Sequence, residues 1–229
     1  MNDRAPDDLW VIIPAYNEGS VIQTVIAEVR QFCENVALVD DGSSDDTATH
    51  ARAAGATVLK HPINLGQGAA LQTGIEFALR SNAGFIVTFD ADGQHDIQDI
   101  FPMIALLRLN NLDVVLGSRF IGKTVGMKLG RRVLLRLAVL FTRATTGMKL
   151  TDAHNGLRVF TRQGAQTIAL CHNRMAHASE ILEQIAGNKL NYAELGNTVR
   201  YTEYSMAKGQ KASNAINIVI DLVLGRITR

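Results

Sequence analysis

Asp90 and Asp92, two residues apart at the end of the apolar run Phe85–Phe89, are the pair in this sequence best suited to chemistry. In a chain still extended at the end of a strand, side chains two apart point the same way, and Gln94 shares their parity. Two carboxylates and an amide oxygen make a hard partial shell suited to Mg2+ or Mn2+, with substrate phosphates and water to complete it. An ordinary polar turn uses the same residue types. The position of the pair, directly after a run apolar enough to be buried, favours the metal.

Other polar clusters also follow apolar runs. Pro14-Ala15-Tyr16-Asn17-Glu18 follows Val11–Ile13, Asp40-Asp41-Gly42-Ser43 follows Leu38-Val39, and Gly117-Ser118-Arg119 follows Val115-Leu116. One carboxylate of the Asp40-Asp41 pair could accept the ring N–H of a uracil or guanine, with Gly42 letting the backbone approach; helix capping is the simpler role for Ser44 or Asp45. Paired aspartates after a first strand also occur in phospho-receiver domains, but here the pair follows the second apparent strand. Asn64-Leu65-Gly66-Gln67-Gly68 opens a helix whose amides could help bind an anion, although it does not match GxGxxG.

The elements that must position these residues can be read from periodicity. Leu9–Ile13, Val36–Val39, Thr57–Leu59, Phe85–Phe89 and Asp113–Leu116 read as buried strands. Between them Ser20–Phe32, Asp46–Ala54, Gly68–Arg80 and Ile97–Leu109 carry apolar residues at helical spacing. Strand and helix alternate, so an α/β fold with a mostly parallel, doubly wound sheet is expected, with its ligand crevice outside the carboxyl ends of the strands. Beyond Phe120 the alternation ends: helices are expected over Lys128–Thr145, Ala178–Ala186 and Asn214–Ile227, and strands over Leu157–Phe160 and Tyr192–Val199.

Charge divides the chain at the same place. Residues 1–120 hold 7 Lys and Arg against 16 Asp and Glu, whereas residues 121–229 hold 16 against 6. An acidic first segment suits a cation and a basic second one suits anionic partners, within one continuous domain. Cys33 and Cys171, far apart and in no CxxC spacing, argue against both a disulfide scaffold and a thiolate zinc site, and a reducing cytoplasm is the expected compartment. The acidic N-terminus does not resemble a signal peptide. No run reaches the roughly 18 apolar residues of a spanning helix. Between Phe120 and Thr151 lie seven basic residues and no acid, with Arg132, Arg136 and Arg143 along one helical face. This suits either a helix lying on an anionic membrane or a solvated face packed on the core.

Taken in order and spacing, Ile13–Glu18, Val39–Ser43, Asn64–Gly68, Asp90–His95 and Gly117–Arg119 resemble the inverting family 2 glycosyltransferases of GT-A fold, in particular the dolichol-phosphate mannose synthase and polyprenyl-phosphate sugar synthase branch. The resemblance implies that Pro14, Tyr16 and Glu18 line a nucleotide pocket, that Asp41 recognises the base, and that Asp90, Asp92 and Gln94 form the metal shell, Asp90 also touching the nucleotide. It implies that Arg119 faces the acceptor phosphate or the sugar diphosphate, and that Lys208 and Lys211 belong to a basic loop closing over the diphosphate. Thr151-Asp152-Ala153-His154-Asn155-Gly156 is similar to the family's Thr-Asp-Pro-x-Ser-Gly acceptor loop, with Ala153 for the proline and Asn155 for the serine. Peripheral attachment or a separate membrane protein would stand in for the C-terminal spanning helices that many of this branch carry, and a homo-oligomer is a further expected partnership.

The expected reaction is transfer of a sugar from a UDP- or GDP-sugar to a polyprenyl phosphate, catalysed mainly by stabilising the leaving diphosphate, with Asp92 and Arg119 in the catalytic set. A lipid phosphate needs no strong base, and Arg119 with Arg131 or Arg132 would orient it. A sugar hydroxyl on a lipid-linked or surface polysaccharide needs one, with Asp152 first and Glu180 second as candidates; capping for Asp152 and arginine pairing for Glu180 are the structural alternatives. A nucleotide-binding or membrane-adaptor protein without catalysis is the reading from another class. A nucleic-acid partner is not expected.

Overall fold

The structure, a computed structural model, describes residues 5–171, 177–202 and 204. In chain order the elements are β1 (Leu9–Ala15), α1 (Ile22–Phe32), β2 (Asn35–Asp40), α2 (Thr47–Ala53), β3 (Thr57–Lys60), α3 (Gln67–Arg80), β4 (Phe85–Thr88), a 3-10 turn (Ile97–Asp99), α4 (Ile100–Leu109), β5 (Val114–Val125), α5 (Leu129–Thr146), β6 (Arg158–Thr161), α6 (Arg162–Gln166), α7 (His177–Gly187) and β7 (Tyr192–Arg200). They build one sheet in the order β3-β2-β1-β4-β6-β5-β7. It is parallel except for β6, which runs antiparallel between β4 and β5.

Continuous apolar strands arise because both faces of the sheet are covered. Alternate residues serve opposite cores: Val11 and Ile13 pack with Ile26 of α1 and Met103 of α4, while Ile12 packs with Ile75 of α3 and Ile181 of α7. A one-residue slip of β1 would exchange the two sets, and each large side chain stabilises the register by about 1.5–3 kcal/mol.

Three elements differ from the sequence expectation. The strand expected to end at Leu116 continues to Val125, because β7 pairs with it from Val114 to Val125 across an irregularity between Ser118 and Lys123. Gly117-Ser118-Arg119 therefore lies within a strand and not in a loop after one. The helix expected over Ile97–Leu109 begins as a 3-10 turn, where the Asp96 carboxylate caps the Gln98 amide at 3.1 Å. α6 was not legible; it is five residues long and starts where Thr161 Oγ1 accepts from the Gly164 amide at 3.0 Å. The helix expected over Asn214–Ile227 lies outside the described residues.

Candidate active site

β1 leads through α1 to β2 on one side of itself, and β4 lies on the other. That boundary is the topological switch point, where an open α/β sheet leaves a crevice. A cavity of about 590 Å3 opens there, within the range of small-ligand sites. Pro14, Tyr16 and Glu18 reach it from the end of β1, and Asp41 from the end of β2. Asp90, Asp92 and Gln94 reach it from beyond β4, Arg119 from β5 and Arg131 from α5. Arg132 is exposed on α5, and Asp152 and Glu180 are buried outside the cavity lining. Lys208 and Lys211 lie outside the described residues.

At the nucleotide end, loops from β1 and β2 are tied together. The Asn17 amide donates to Ser43 Oγ at 2.9 Å, and the Ser44 amide to Asn17 Oδ1 at 2.9 Å. The Tyr204 hydroxyl donates to Glu18 Oε2 at 2.7 Å, so the segment after β7 closes on this end. Asp41 accepts the amides of Leu65 and Gly66 at 2.9 and 2.7 Å and meets His61 Nδ1 at 2.8 Å. The anion held by those two amides at the start of α3 is thus the protein's own Asp41. Its Oδ2 accepts one of these bonds, which leaves acceptor capacity for a base N–H. Gly42, at φ +74°, is where the Ile63-Asn64 backbone passes; a Cβ there would meet Ile63 C at 2.6 Å.

At the acidic turn the chain is not extended, so the parity argument does not account for the convergence of its side chains. β4 ends at Thr88, residues 91–92 turn, and Gly93 sits at φ +70°. Asp92 accepts the Gln94 amide at 3.1 Å and the Gln94 side-chain nitrogen at 2.6 Å. Spending that nitrogen on Asp92 leaves the amide oxygen as the atom able to ligate. Asp90 is held by His95 Nε2 at 2.9 Å. Burial, and then the charge of Asp90, push Asp92 up to about 6. Burial acts to raise Asp90 as well, but the hydrogen bond and charge of His95, with Arg158, outweigh it and hold that carboxyl below the usual range.

Among the described residues no three His, Cys, Asp or Glu side chains form a metal cage. Two carboxylates and an amide oxygen instead fit a partial shell for a hard divalent ion, whose remaining positions a diphosphate and water would fill. Asp90 owes its place to Gly156: a Cβ at that glycine would run into the Asp90 carboxylate.

Arg119 is 7% exposed and already engaged. Its Nε donates to Asp152 Oδ2 at 2.6 Å, Nη1 to the Tyr201 hydroxyl at 2.8 Å, and Nη2 to the His154 carbonyl. Burial opposes the Asp152 charge, but the Arg119 guanidinium and the hydrogen bonds hold the carboxyl low. A low, ion-paired carboxylate outside the cavity suits a positioning role for Arg119 more than general-base work. Glu194 fixes the same loop by accepting the Thr151 and Asp152 amides at 2.7 and 3.0 Å. Glu180 accepts the Cys171 amide at 2.9 Å, which ties α7 to the segment before it.

Four ionisable residues of the cavity lining, His95, His154, His177 and Arg158, carry no role in the sequence reading. Arg158 is the most informative. It stands opposite Thr88 of β4 and Leu116 of β5 and is 3% exposed, and burial brings its pKa down to about 10. The signal was present: one charge inside the apolar run Leu157-Arg158-Val159-Phe160 is out of character for a buried strand.

A doubly wound sheet with an acidic turn and a nucleotide-sized cavity at its switch point is the arrangement of a glycosyltransferase of GT-A fold. Residues 10–168 match the model for glycosyl transferase family 2, and the chain belongs to that family. An uncharacterized protein of Methanocaldococcus jannaschii is 32% identical to it over 232 residues, covering 99% of this chain and 96% of its own. The UDP-N-acetylglucosamine–dolichyl-phosphate N-acetylglucosaminyltransferase of Methanococcus voltae is 31% identical, covering 94% of this chain and 95% of its own. The crystal structure of glucosyl-3-phosphoglycerate synthase from Mycobacterium tuberculosis, in complex with Mn2+ and UDP-glucose, shares the fold with a TM-score of 0.66 at 21% identity, covering 95% of this chain and 78% of that one.

Proposed function

We propose that this enzyme transfers a sugar, with inversion, from a UDP- or GDP-sugar to the phosphate of a polyprenyl phosphate, using Mg2+ or Mn2+. One observation carries the reading: a single helix serves both the cavity and an apolar surface. α5 sends Arg131 into the cavity of the acidic turn, while Leu129, Val133, Leu137 and Leu140 stand 77, 52, 57 and 59% exposed along its length. The donor and acceptor named for the Methanococcus voltae relative agree with it.

An oxygen of the acceptor phosphate forms the new bond to the anomeric carbon. The bond from that carbon to the donor diphosphate breaks, and the nucleoside diphosphate leaves with the electron pair. A phosphate monoester is anionic at neutral pH, so the attack needs no carboxylate base. Among the described residues the carboxylates lining the cavity are Glu18, Asp41, Asp90 and Asp92, all at its donor end. Asp90, Asp92 and Gln94 would hold the metal, which supplies positive charge against the leaving diphosphate. Arg131, stacked over the Tyr201 ring at 4.9 Å, is placed to orient the acceptor phosphate. Lys208 and Lys211 are the further candidates for phosphate contacts.

The test is purified protein with Mn2+, polyprenyl phosphate and radiolabelled UDP-N-acetylglucosamine, UDP-glucose or GDP-mannose. Label is expected to enter the lipid phase from one of these donors, and a chelator is expected to stop it. Label found only on a glycan or as free sugar refutes the acceptor.

Among the described residues no helix is long and apolar enough to cross a membrane, and we propose that α5 lies on an anionic bilayer. Each Leu so buried contributes about 1.5–3 kcal/mol, and each nearby Arg or Lys about 1 kcal/mol. Val133→Gln with Leu137→Gln is therefore expected to weaken co-sedimentation with phosphatidylglycerol vesicles by about tenfold or more. Turnover of a water-soluble short-chain prenyl phosphate should be kept. Equal sedimentation of variant and wild type rules out this face.

A further inference from the structure

Arg158 is a buried cation with no hydrogen-bonding or ion-pair partner among the described residues. Its neighbour Arg119 has all three guanidinium nitrogens engaged. Among the described residues, by contrast, no hydrogen bond and no ion pair holds the Arg158 side chain, although it is 3% exposed and lines the cavity. A guanidinium carries five N–H donors, and those of Arg158 open onto the cavity rather than being sealed in the fold, so a bound group can meet them there. A second unmet group lies in the same wall: His154 Nδ1 is buried without a partner. Between the two, Gly156 offers no side chain, because the Asp90 carboxylate occupies the space a Cβ would take. Thr88 Oγ1 holds the Gly156 carbonyl at 2.7 Å, which keeps this floor in place.

Charge narrows what would fill it. Arg119 is matched by Asp152, and Arg158 feels the charges of Asp90 and Asp152 without touching either. The inner floor is thus close to neutral, whereas the negative charge of a diphosphate belongs with the acidic turn and its metal. An uncharged, oxygen-rich group answers both requirements.

We infer that Arg158 is the residue that reads the transferred sugar, donating hydrogen bonds to a hydroxyl or N-acetyl carbonyl oxygen of the donor's hexose, with His154 beside it in the same subsite. This rests on the nucleotide-sugar reading above. A contact to the sugar predicts a dependence that a contact to the diphosphate, or support of Asp90, does not.

The experiment is titration calorimetry of the full chain with Mn2+, comparing UDP with UDP-N-acetylglucosamine and UDP-glucose, and GDP with GDP-mannose, for wild type, Arg158→Gln and Arg158→Lys. The variants are expected to bind the nucleotide sugar about 10- to 100-fold more weakly, and the bare diphosphate within about twofold of wild type. Equal loss for both ligands assigns Arg158 to the diphosphate or to Asp90 and overturns the inference, as does no loss for either. Should the glutamine variant fail to fold, the lysine variant and the wild-type arginine Nε resonances decide. The resonance absent from the lysine variant is expected to shift with the nucleotide sugar and stay in place with the bare diphosphate, and the reverse overturns the assignment. A wild type that binds neither UDP nor GDP sinks the donor reading and the inference with it, while diphosphate binding without a sugar effect sinks the inference alone.

Discussion

Asp92→Ala is expected to reduce sugar transfer by about 10²- to 10³-fold while the protein remains folded. The size follows from where charge develops: cleavage leaves a diphosphate that must be neutralised as it departs, and Asp92 is one of two carboxylates proposed to hold the neutralising ion. The fold should tolerate the change, because Asp92 belongs to no strand or helix and its partner within the turn is Gln94. Its neighbour Asp90 is a like charge that raises it, so removing one carboxylate also removes a repulsion. The melting temperature without metal is therefore expected to be no lower than that of wild type. The paired measurements are steady-state transfer over a Mn2+ titration and thermal unfolding in a chelator. Full metal-stimulated turnover in the variant would end the assignment of Asp92 as a ligand.

What could be read from the sequence, and what could not, divides along the distance over which each feature is built. The ends of β1, β2 and β4 are local events, where an apolar run stops at polar residues, and their side chains do meet in the cavity. Even there the convergence has a different cause from the one strand periodicity predicts: Asp90, Asp92 and Gln94 are gathered by a turn through Gly93 and not by strand parity. Features assembled across the chain were hidden. Asp41 accepts amides 24 and 25 residues away, so its local sequence suggested ligand binding where part of its capacity serves the loop. Arg158 reaches the cavity because β6 is inserted antiparallel between β4 and β5, an order that no local pattern encodes. The charge division between residues 1–120 and 121–229 is real in sequence, yet β6 and β7 from the second part are hydrogen-bonded into the sheet of the first.

The Arg119–Asp152 pair combines both kinds of information, and its removal is the larger structural test. The two residues are 33 positions apart, each under 10% exposed, and joined by two hydrogen bonds to the same Oδ2, from the Arg119 backbone amide at 3.1 Å and from Nε at 2.6 Å. Asp152→Ala leaves a buried guanidinium without its counter-charge, which is expected to cost about 3–5 kcal/mol. For a chain of this length that lowers the melting temperature by roughly 6–20 °C. The pH dependence follows from the direction of the shift. Asp152 is held below its ordinary value in the fold, so its contribution is complete above the unfolded carboxylate pKa of about 3.9 and is lost as the pH falls through the lower folded value. Wild type and variant should therefore differ fully at pH 7 and begin to converge only below about pH 4, which chemical denaturation across that range measures. Asp152→Asn separates this role from base catalysis. A general base would take its acid limb in the pH–rate profile with it when replaced. A residue that acts by holding Arg119 leaves the profile in place and lowers turnover only as far as Arg119 moves. An acid limb that disappears in the asparagine variant would return Asp152 to the chemistry and make a hydroxyl the acceptor to test.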